Sequence, residues 1–260
     1  MIFSTCRKAM LYLAISLFVV PYAGAQDADD CVDSLQCQSA WLTLSADQSD
    51  AVFQFAEEYK EFIHLARTEL SFVTEAISFA EANGFRELNE SSSLAPGSRH
   101  YEVNRDRTIS LIIIGEQPME NGFHVIGAHI DSPRLDLKGR PLYEGSEFAL
   151  FQTNYHGGIK YHQWTNLPLA LMGRIDRKDG STVNLSIGLD PEDPVFMIPE
   201  LSPHVDRSRN SQTLGDYLEP EDMDPVVAHI PVDGGDSVDQ VLSYLAAQYG
   251  VSRADLVSAR

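Results

Sequence analysis

Two apolar, β-branched runs constrain the fold most strongly: "TISLIIIG" from Thr108 to Gly115 and "FHVIGAHI" from Phe123 to Ile130. Runs as apolar as these are typical of strands that are covered on both faces. They predict an α/β fold in which a sheet is flanked by helices. The second run reaches His129, and open α/β sheets bind their ligands beyond the ends of such strands.

His129 and Asp131 stand at His-x-Asp spacing at the end of this predicted strand. Residues two apart on a strand share a face, so the carboxylate can accept a hydrogen bond from one imidazole nitrogen. The other nitrogen is then free to bind a metal ion. A buried ion pair that closes the strand end explains the same spacing, and a motif this short does not separate the two interpretations.

The segment before these runs predicts a long helix from Ala51 to Asn83, because its apolar residues recur at helical spacing. The pattern is broken near Arg67, and Gly84 stands where glycine commonly ends a helix.

Beyond Lys138 the sequence consists of short alternating segments separated by turn residues, which predicts a β-rich module. One hairpin is expected in "RIDRKDGSTVNLSIG", with its turn at Asp179 and Gly180. A last helix is expected from about Val238 to Tyr249, with Gly250 behind it.

The amino terminus is typical of an exported protein. Residues 1–25 combine basic residues, a short apolar run and small residues before a cleavage point, which predicts a signal peptide. We therefore expect a periplasmic or secreted protein with no membrane contact after cleavage. A polar leader follows at 26–50, where Cys31 and Cys37 could form a disulfide. A metal site is the weaker alternative, because two cysteines with no nearby histidine supply half of a zinc site at best.

The composition is strongly acidic, with a formal net charge of −19. Such a charge repels phosphate backbones and anionic lipid heads, so nucleic acid and membrane-surface partners are disfavoured.

Five blocks of the sequence resemble the aspartyl-aminopeptidase-like family of dinuclear zinc aminopeptidases, and they occur in the family's order between about Glu58 and Arg260. The blocks are "GFRELN", "GAHIDSPRLDLKGRPLYE", "GGIKYHQW", "PLALMGRI" and "IGLDPEDPVFMIPELSPH". The resemblance implies a phosphorylase/hydrolase-like zinc exopeptidase domain, begun by residues 51–138. It also implies a β-rich oligomerisation insert at 139–260.

The same resemblance implies roles for three residues. His129 would be a metal ligand, Asp131 its orienting partner in catalysis, and His204 a catalytic residue that reaches a neighbouring subunit's site. The family uses two zinc ions, or other divalent metals, to activate a water that attacks the first peptide bond of substrates with a free N-terminus. A homo-oligomer is expected.

One departure from the family pattern matters for activity. The family's remaining ligands and its general base follow the insert, whereas this sequence stops at "RADLVSAR". We therefore expect the front portion of a metallo-aminopeptidase, which by itself neither binds zinc tightly nor hydrolyses peptides. The alternatives are a non-catalytic scaffold derived from such an enzyme and a β-rich binding module.

Two smaller groups of residues have competing interpretations. Asp190, Glu192 and Asp193 could bind calcium, although acidic turns are usually solvated and this spacing matches no known calcium loop. His156 and His162 flank "GGIKY", and core or interface positions suit them better than ligand roles.

Overall fold

The computed structural model describes residues 39–257 of the 260-residue chain. The predicted signal peptide and the Cys31 and Cys37 pair lie outside these residues. The chain divides into two compact units, and the second begins at Phe62. Within the described part, no helix is long and apolar enough to cross a membrane.

The first unit contains a single-turn helix at Ala40–Leu42 and most of helix α1 (Ala46–Leu65). Trp41 packs against Phe53 with their ring centroids 5.6 Å apart. Phe55, on the same helix, is 71% exposed.

The break predicted near Arg67 is confirmed, because α1 ends at Leu65 and helix α2 (Glu69–Ala82) begins four residues later. The Thr68 hydroxyl accepts a hydrogen bond from the Ser71 amide, and the Ser71 hydroxyl accepts one from the Thr68 amide. This reciprocal cap satisfies amides that the helix leaves unpaired, and such caps contribute about 1 kcal/mol. At the other end Gly84 adopts a left-handed φ of 82°, as its position predicted.

The first sheet has three strands, β1 (Arg86–Glu87), β2 (Arg99–Asn104) and β3 (Thr108–Ile113). β1 runs parallel to β2, and β2 pairs antiparallel with β3. The predicted strand at Thr108 is thus confirmed, and α2 packs against it. The prediction that the strand is covered on both faces is wrong for the described residues, because Leu111 is 49% exposed and Ile113 62% exposed. The small core between helix and sheet consists of Ala80, Phe85 and Tyr101, with Ile77, Val103 and Ile109 packed around them.

The prediction of a strand from Phe123 to Ile130 is wrong. This segment is irregular, and its backbone makes no hydrogen bond to any other residue of 39–257. Val125 is 73% exposed and Ile126 98% exposed. A strand needs a neighbour to pair its amides and carbonyls, and none of the sheets formed by the described residues includes this segment. The coarser prediction, a mixture of helices and sheets, is confirmed.

The rest of the second unit is rich in β-structure. Strands β4 (Arg134–Gly145), β5 (Phe148–His156) and β8 (Val226–Ala228) form one antiparallel sheet. The predicted hairpin is confirmed as β6 (Leu171–Asp176) and β7 (Thr182–Ile187), with Gly180 in its turn at a φ of 85°.

Helix α3 (Ser237–Tyr249) confirms the predicted last helix. The Asp236 carboxylate caps its first turn by accepting from the Asp239 amide, and Gly250 ends it with a φ of 62°. The helix covers the largest core of the described residues, formed by Leu142, Ala149, Phe151, Leu185, Ile187, Phe196, Val238, Val241, Leu245 and Val251. That this β-rich region serves oligomerisation stays a prediction.

Candidate metal-ligand site

The side chains of His129 and Asp131 are in contact, although they lie in a loop rather than on a strand. Nδ1 of His129 is 3.0 Å from Oδ1 of Asp131 and 3.2 Å from its backbone oxygen. An ionised carboxylate only accepts hydrogen bonds, so Nδ1 carries the proton. Nε2 of His129 has no partner among residues 39–257, and the side chain is 84% exposed. A tautomer with the proton on Nδ1 leaves Nε2 able to bind a metal ion.

A second histidine contacts the same carboxylate. Nε2 of His156 lies 3.0 Å from Oδ2 of Asp131, so each carboxylate oxygen accepts from a different imidazole. The pKa of Asp131 is lowered, first by the hydrogen bond from His156 and then by the one from His129. The carboxylate therefore stays ionised and able to accept both bonds near neutral pH.

The pairing of β4 with β5 brings His156 to this place. Arg134, the first residue of β4, pairs with His156, the last residue of β5. The next residue, Gly157, has a φ of 76°, and an added Cβ would lie 3.6 Å from Pro133. That distance is an ordinary van der Waals contact, so the left-handed backbone, and not a lack of space, is what favours glycine beside the loop that carries Asp131.

A series of contacts between polar and charged side chains connects His156 to α2. Nδ1 of His156 is 3.4 Å from Oδ2 of Asp136, whose other oxygen accepts from Arg134 Nε at 2.7 Å. Arg134 Nη2 in turn lies 3.0 Å from Oε1 of Glu69. Burial opposes the charge on Arg134, but Asp136 and Glu69 outweigh that effect and raise its pKa. The guanidinium thus stays charged and links the loop to the first turn of α2.

His129, Asp131 and His156 border a cleft of about 410 Å³. Its walls come from Glu69 of α2, Thr108 and Ile109 of β3, and the loop at 128–131. Several members of the wall are polar, so the cleft differs from the apolar core around α3.

The donor set in this part of the chain supplies one free metal-ligand position. No group of three or more His, Cys, Asp or Glu residues within 39–257 could hold a metal ion. Both oxygens of Asp131 and Nε2 of His156 are engaged with each other or with His129. Tetrahedral zinc requires about four ligands, so these residues on their own do not fit a zinc site.

The other sequence candidates lie elsewhere. His204 occupies an exposed turn, and its predicted role at a neighbouring subunit stays a prediction. Asp193 accepts hydrogen bonds from the amides of Gly188 and Asp190, and Asp190 accepts one from the Glu192 amide. These two carboxylates thus stabilise a turn.

His156 is the contact residue that sequence reasoning missed, since a core or interface position had been expected for it. Its distance from Asp131 along the chain concealed the contact, and only the strand pairing reveals it. A correct register for the β4–β5 hairpin was the signal that could have found it.

Comparison with known families identifies the class. The family model described as "Aminopeptidase I zinc metalloprotease (M18)" matches residues 62–260. The chain therefore belongs to the M18 family of zinc metalloproteases.

Curated relatives agree with this assignment. The chain is 37% identical over 230 residues to a probable M18 family aminopeptidase 1 of Clostridium acetobutylicum, which covers 85% of this chain and 50% of the relative. A probable M18 family aminopeptidase 1 of Borrelia garinii subsp. bavariensis is 35% identical, with 85% and 49% covered. The chain thus spans about half the length of the curated relatives it matches.

Solved structures show the same fold. An M18 family aminopeptidase from Thermotoga maritima matches with a TM-score of 0.77 at 33% identity, covering 85% of this chain and 49% of that one. Aminopeptidase I from Borrelia burgdorferi B31 matches with a TM-score of 0.74 at 30% identity, with 85% and 51% covered.

Proposed function

We propose that this chain forms part of a metallo-aminopeptidase that releases N-terminal residues from peptides, and that His129 is one of its metal ligands. The observation that carries the proposal is the His129 imidazole, whose Nδ1 faces Asp131 while Nε2 is free and exposed. Membership of the M18 family supports the reaction class. Two zinc ions in the complete site follow from the resemblance, and other divalent metals would suit an imidazole ligand as well.

A chimaera tests the proposal. Residues 62–257 of this chain would replace the segment of the Clostridium acetobutylicum aminopeptidase that they match. We expect chelator-sensitive release of N-terminal residues from peptides. His129→Ala in the chimaera should lower zinc content and reduce activity by orders of magnitude, because a ligand is lost.

His124→Ala is the matched control, since His124 lies in the same exposed loop and its ring contacts no carboxylate among the described residues. It should retain zinc and activity. If His124→Ala and His129→Ala behave alike, His129 is not a ligand. If the chimaera folds and stays inactive, the alternative of a non-catalytic scaffold gains support.

We also propose a homo-oligomer in which His204 reaches a neighbouring subunit's site. The proposal rests on the resemblance of "IPELSPH" to its family block. The solved S. cerevisiae mApe1 is a dodecamer, but at 22% identity that likeness concerns the fold alone. His204→Ala in the chimaera should reduce activity without changing the oligomer size measured by light scattering.

Export is a further proposal, based on the composition of residues 1–25. Mass spectrometry of protein expressed from the full gene in a bacterial host should find a mature chain that begins at Gln26. An intact Met1 on protein from the cell interior would contradict it.

A further inference from the structure

We propose that His156 is a positioning residue that holds the Asp131 carboxylate, and through it keeps His129 in the tautomer with Nε2 free. The inference rests on the proposed function in one respect: a free Nε2 is useful because His129 is proposed to bind a metal ion. The contacts that carry it lie within the second unit.

The two ring nitrogens of His156 show why it positions Asp131 rather than binding metal itself. Nε2 donates to Oδ2 of Asp131 at 3.0 Å. Nδ1 is 3.4 Å from both Nη2 of Arg134 and Oδ2 of Asp136. A metal ligand needs one nitrogen directed at open space, and neither nitrogen of this ring meets that condition.

The hydrogen bond from His156 restricts how the Asp131 carboxylate can rotate. Asp131 is 40% exposed, so without a second partner its carboxylate could turn towards water. Because His156 occupies Oδ2, Oδ1 is directed at Nδ1 of His129. A carboxylate held in this way fixes the tautomer and the ring orientation of a ligating histidine.

His156 is itself held from behind. Its strand position is set by pairing with Arg134, whose guanidinium binds both Asp136 and Glu69. The side chain of His156 is 35% exposed, whereas that of His129 is 84% exposed. The less exposed His156 therefore orients the more exposed His129 through the Asp131 carboxylate, which contacts both rings.

The test measures the tautomer of His129 directly by long-range 1H–15N correlation NMR on the histidine-labelled 260-residue chain, without metal. The spectra are recorded about two pH units above about 6.5, the usual pKa of an imidazole in a model peptide. A spectrum of His129→Ala assigns the signals. We expect the Nδ1–H tautomer to predominate for His129 in the unmodified chain.

His156→Phe removes the donor, and the Nδ1–H tautomer of His129 should fall from the major to the minor form. His156→Gln keeps an N–H donor near the position of Nε2 and should restore it. His156→Asn places its donor near the position of Nδ1, on the side of Asp136, and should not. His162→Phe is a control, because no hydrogen bond to the His162 ring is found within residues 39–257, and it should leave the His129 signals unchanged.

Two results would overturn the inference. One is an unchanged His129 tautomer in His156→Phe. The other is an unchanged tautomer in Asp131→Ala, which would show that the Asp131 backbone oxygen, 3.2 Å from Nδ1, is sufficient by itself. Neither result affects the chimaera test of His129 as a ligand, so the two failures are distinguishable.

Discussion

Arg134 Nη2 lies 3.0 Å from Oε1 of Glu69 and so joins the start of β4 to the first turn of α2. The two side chains are 24% and 18% exposed, which limits the screening of their charges by water. Glu69 also suits its place at the helix N-terminus, where a negative charge is stabilised by the helix dipole. This ion pair connects α2 to β4, the strand that follows the loop of His129.

Glu69→Ala should therefore destabilise the second unit. Hydrogen bonds to charged groups contribute about 1.5–3 kcal/mol, and a partly buried Arg134 would lose one of them. We expect the free energy of unfolding in urea to fall by about 1–3 kcal/mol. Glu57→Ala is the control: its ion pair with Lys60 is 69% and 68% exposed, and its removal should change stability by less than about 1 kcal/mol. Equal effects of the two variants would contradict the prediction.

Stability should decrease at alkaline pH because of Tyr143. Burial, and then the hydrogen bond from its hydroxyl to Asp224 at 2.8 Å, raise the pKa of Tyr143 from 10.0 to about 12. The unfolded chain loses this proton near pH 10, whereas the folded chain keeps it to about pH 12. The stabilisation is therefore complete below pH 10 and is lost as the pH rises to about 12.

Urea unfolding at several pH values checks this prediction by comparing the chain with Tyr143→Phe. Other tyrosines ionise in both proteins, so the difference in stability between the two isolates Tyr143. That difference should shrink above pH 10. A constant difference over the whole range would mean that the pKa of Tyr143 is ordinary.

The core beneath α3 should be sensitive to the loss of volume at Leu245. This side chain is 2% exposed and belongs to the largest apolar cluster. Leu245→Ala leaves a cavity and should lower the free energy of unfolding by about 2–5 kcal/mol. Leu214 is 67% exposed, and Leu214→Ala should cost no more than about 0.5 kcal/mol. Chemical denaturation of both variants measures these free energies of unfolding. A small loss for Leu245→Ala would contradict the prediction and show that the surrounding side chains collapse into the cavity.

The exposed run before His129 should bind apolar probes and exchange its amides quickly. Ile126 is 98% exposed, and no amide from 123 to 130 is hydrogen-bonded within 39–257. Ile126→Asp should reduce the fluorescence of bound ANS while changing stability by less than about 0.5 kcal/mol. Hydrogen exchange should be faster over 123–130 than over Phe148–His156, whose amides pair with β4 and β8. Slow exchange over 123–130 would indicate a pairing that the structure lacks.

The break between α1 and α2, the end of α2 and the β6–β7 hairpin could be predicted from sequence because their causes are local. Thr68 caps α2 through hydrogen bonds with Ser71, only three positions away. Gly84 and Gly180 adopt positive φ angles that glycine tolerates best. The contact between His129 and Asp131 was predictable for the same reason, since the two residues stand two positions apart in the chain. None of these features requires knowledge of a distant strand.

His156 could not be predicted in this way, because its place depends on an irregular register. β4 and β5 pair regularly from the turn back to Leu142 opposite Phe151, and the pairing then shifts before Leu137. Regular pairing would have set His156 opposite Leu137, whereas the shift sets it opposite Arg134, beside Asp131. Arg140, with a φ of 54°, lies within this irregularity.

The sequence alone determined the family, the elements with local signals and the His-x-Asp pair. Tertiary structure decided which groups surround that pair, because hydrogen bonds between residues far apart depend on strand register and on the packing of α2. It also decided that the apolar run at 123–130 is exposed in the described chain. Hydrophobicity makes burial favourable, but a strand forms only where another strand pairs with its backbone.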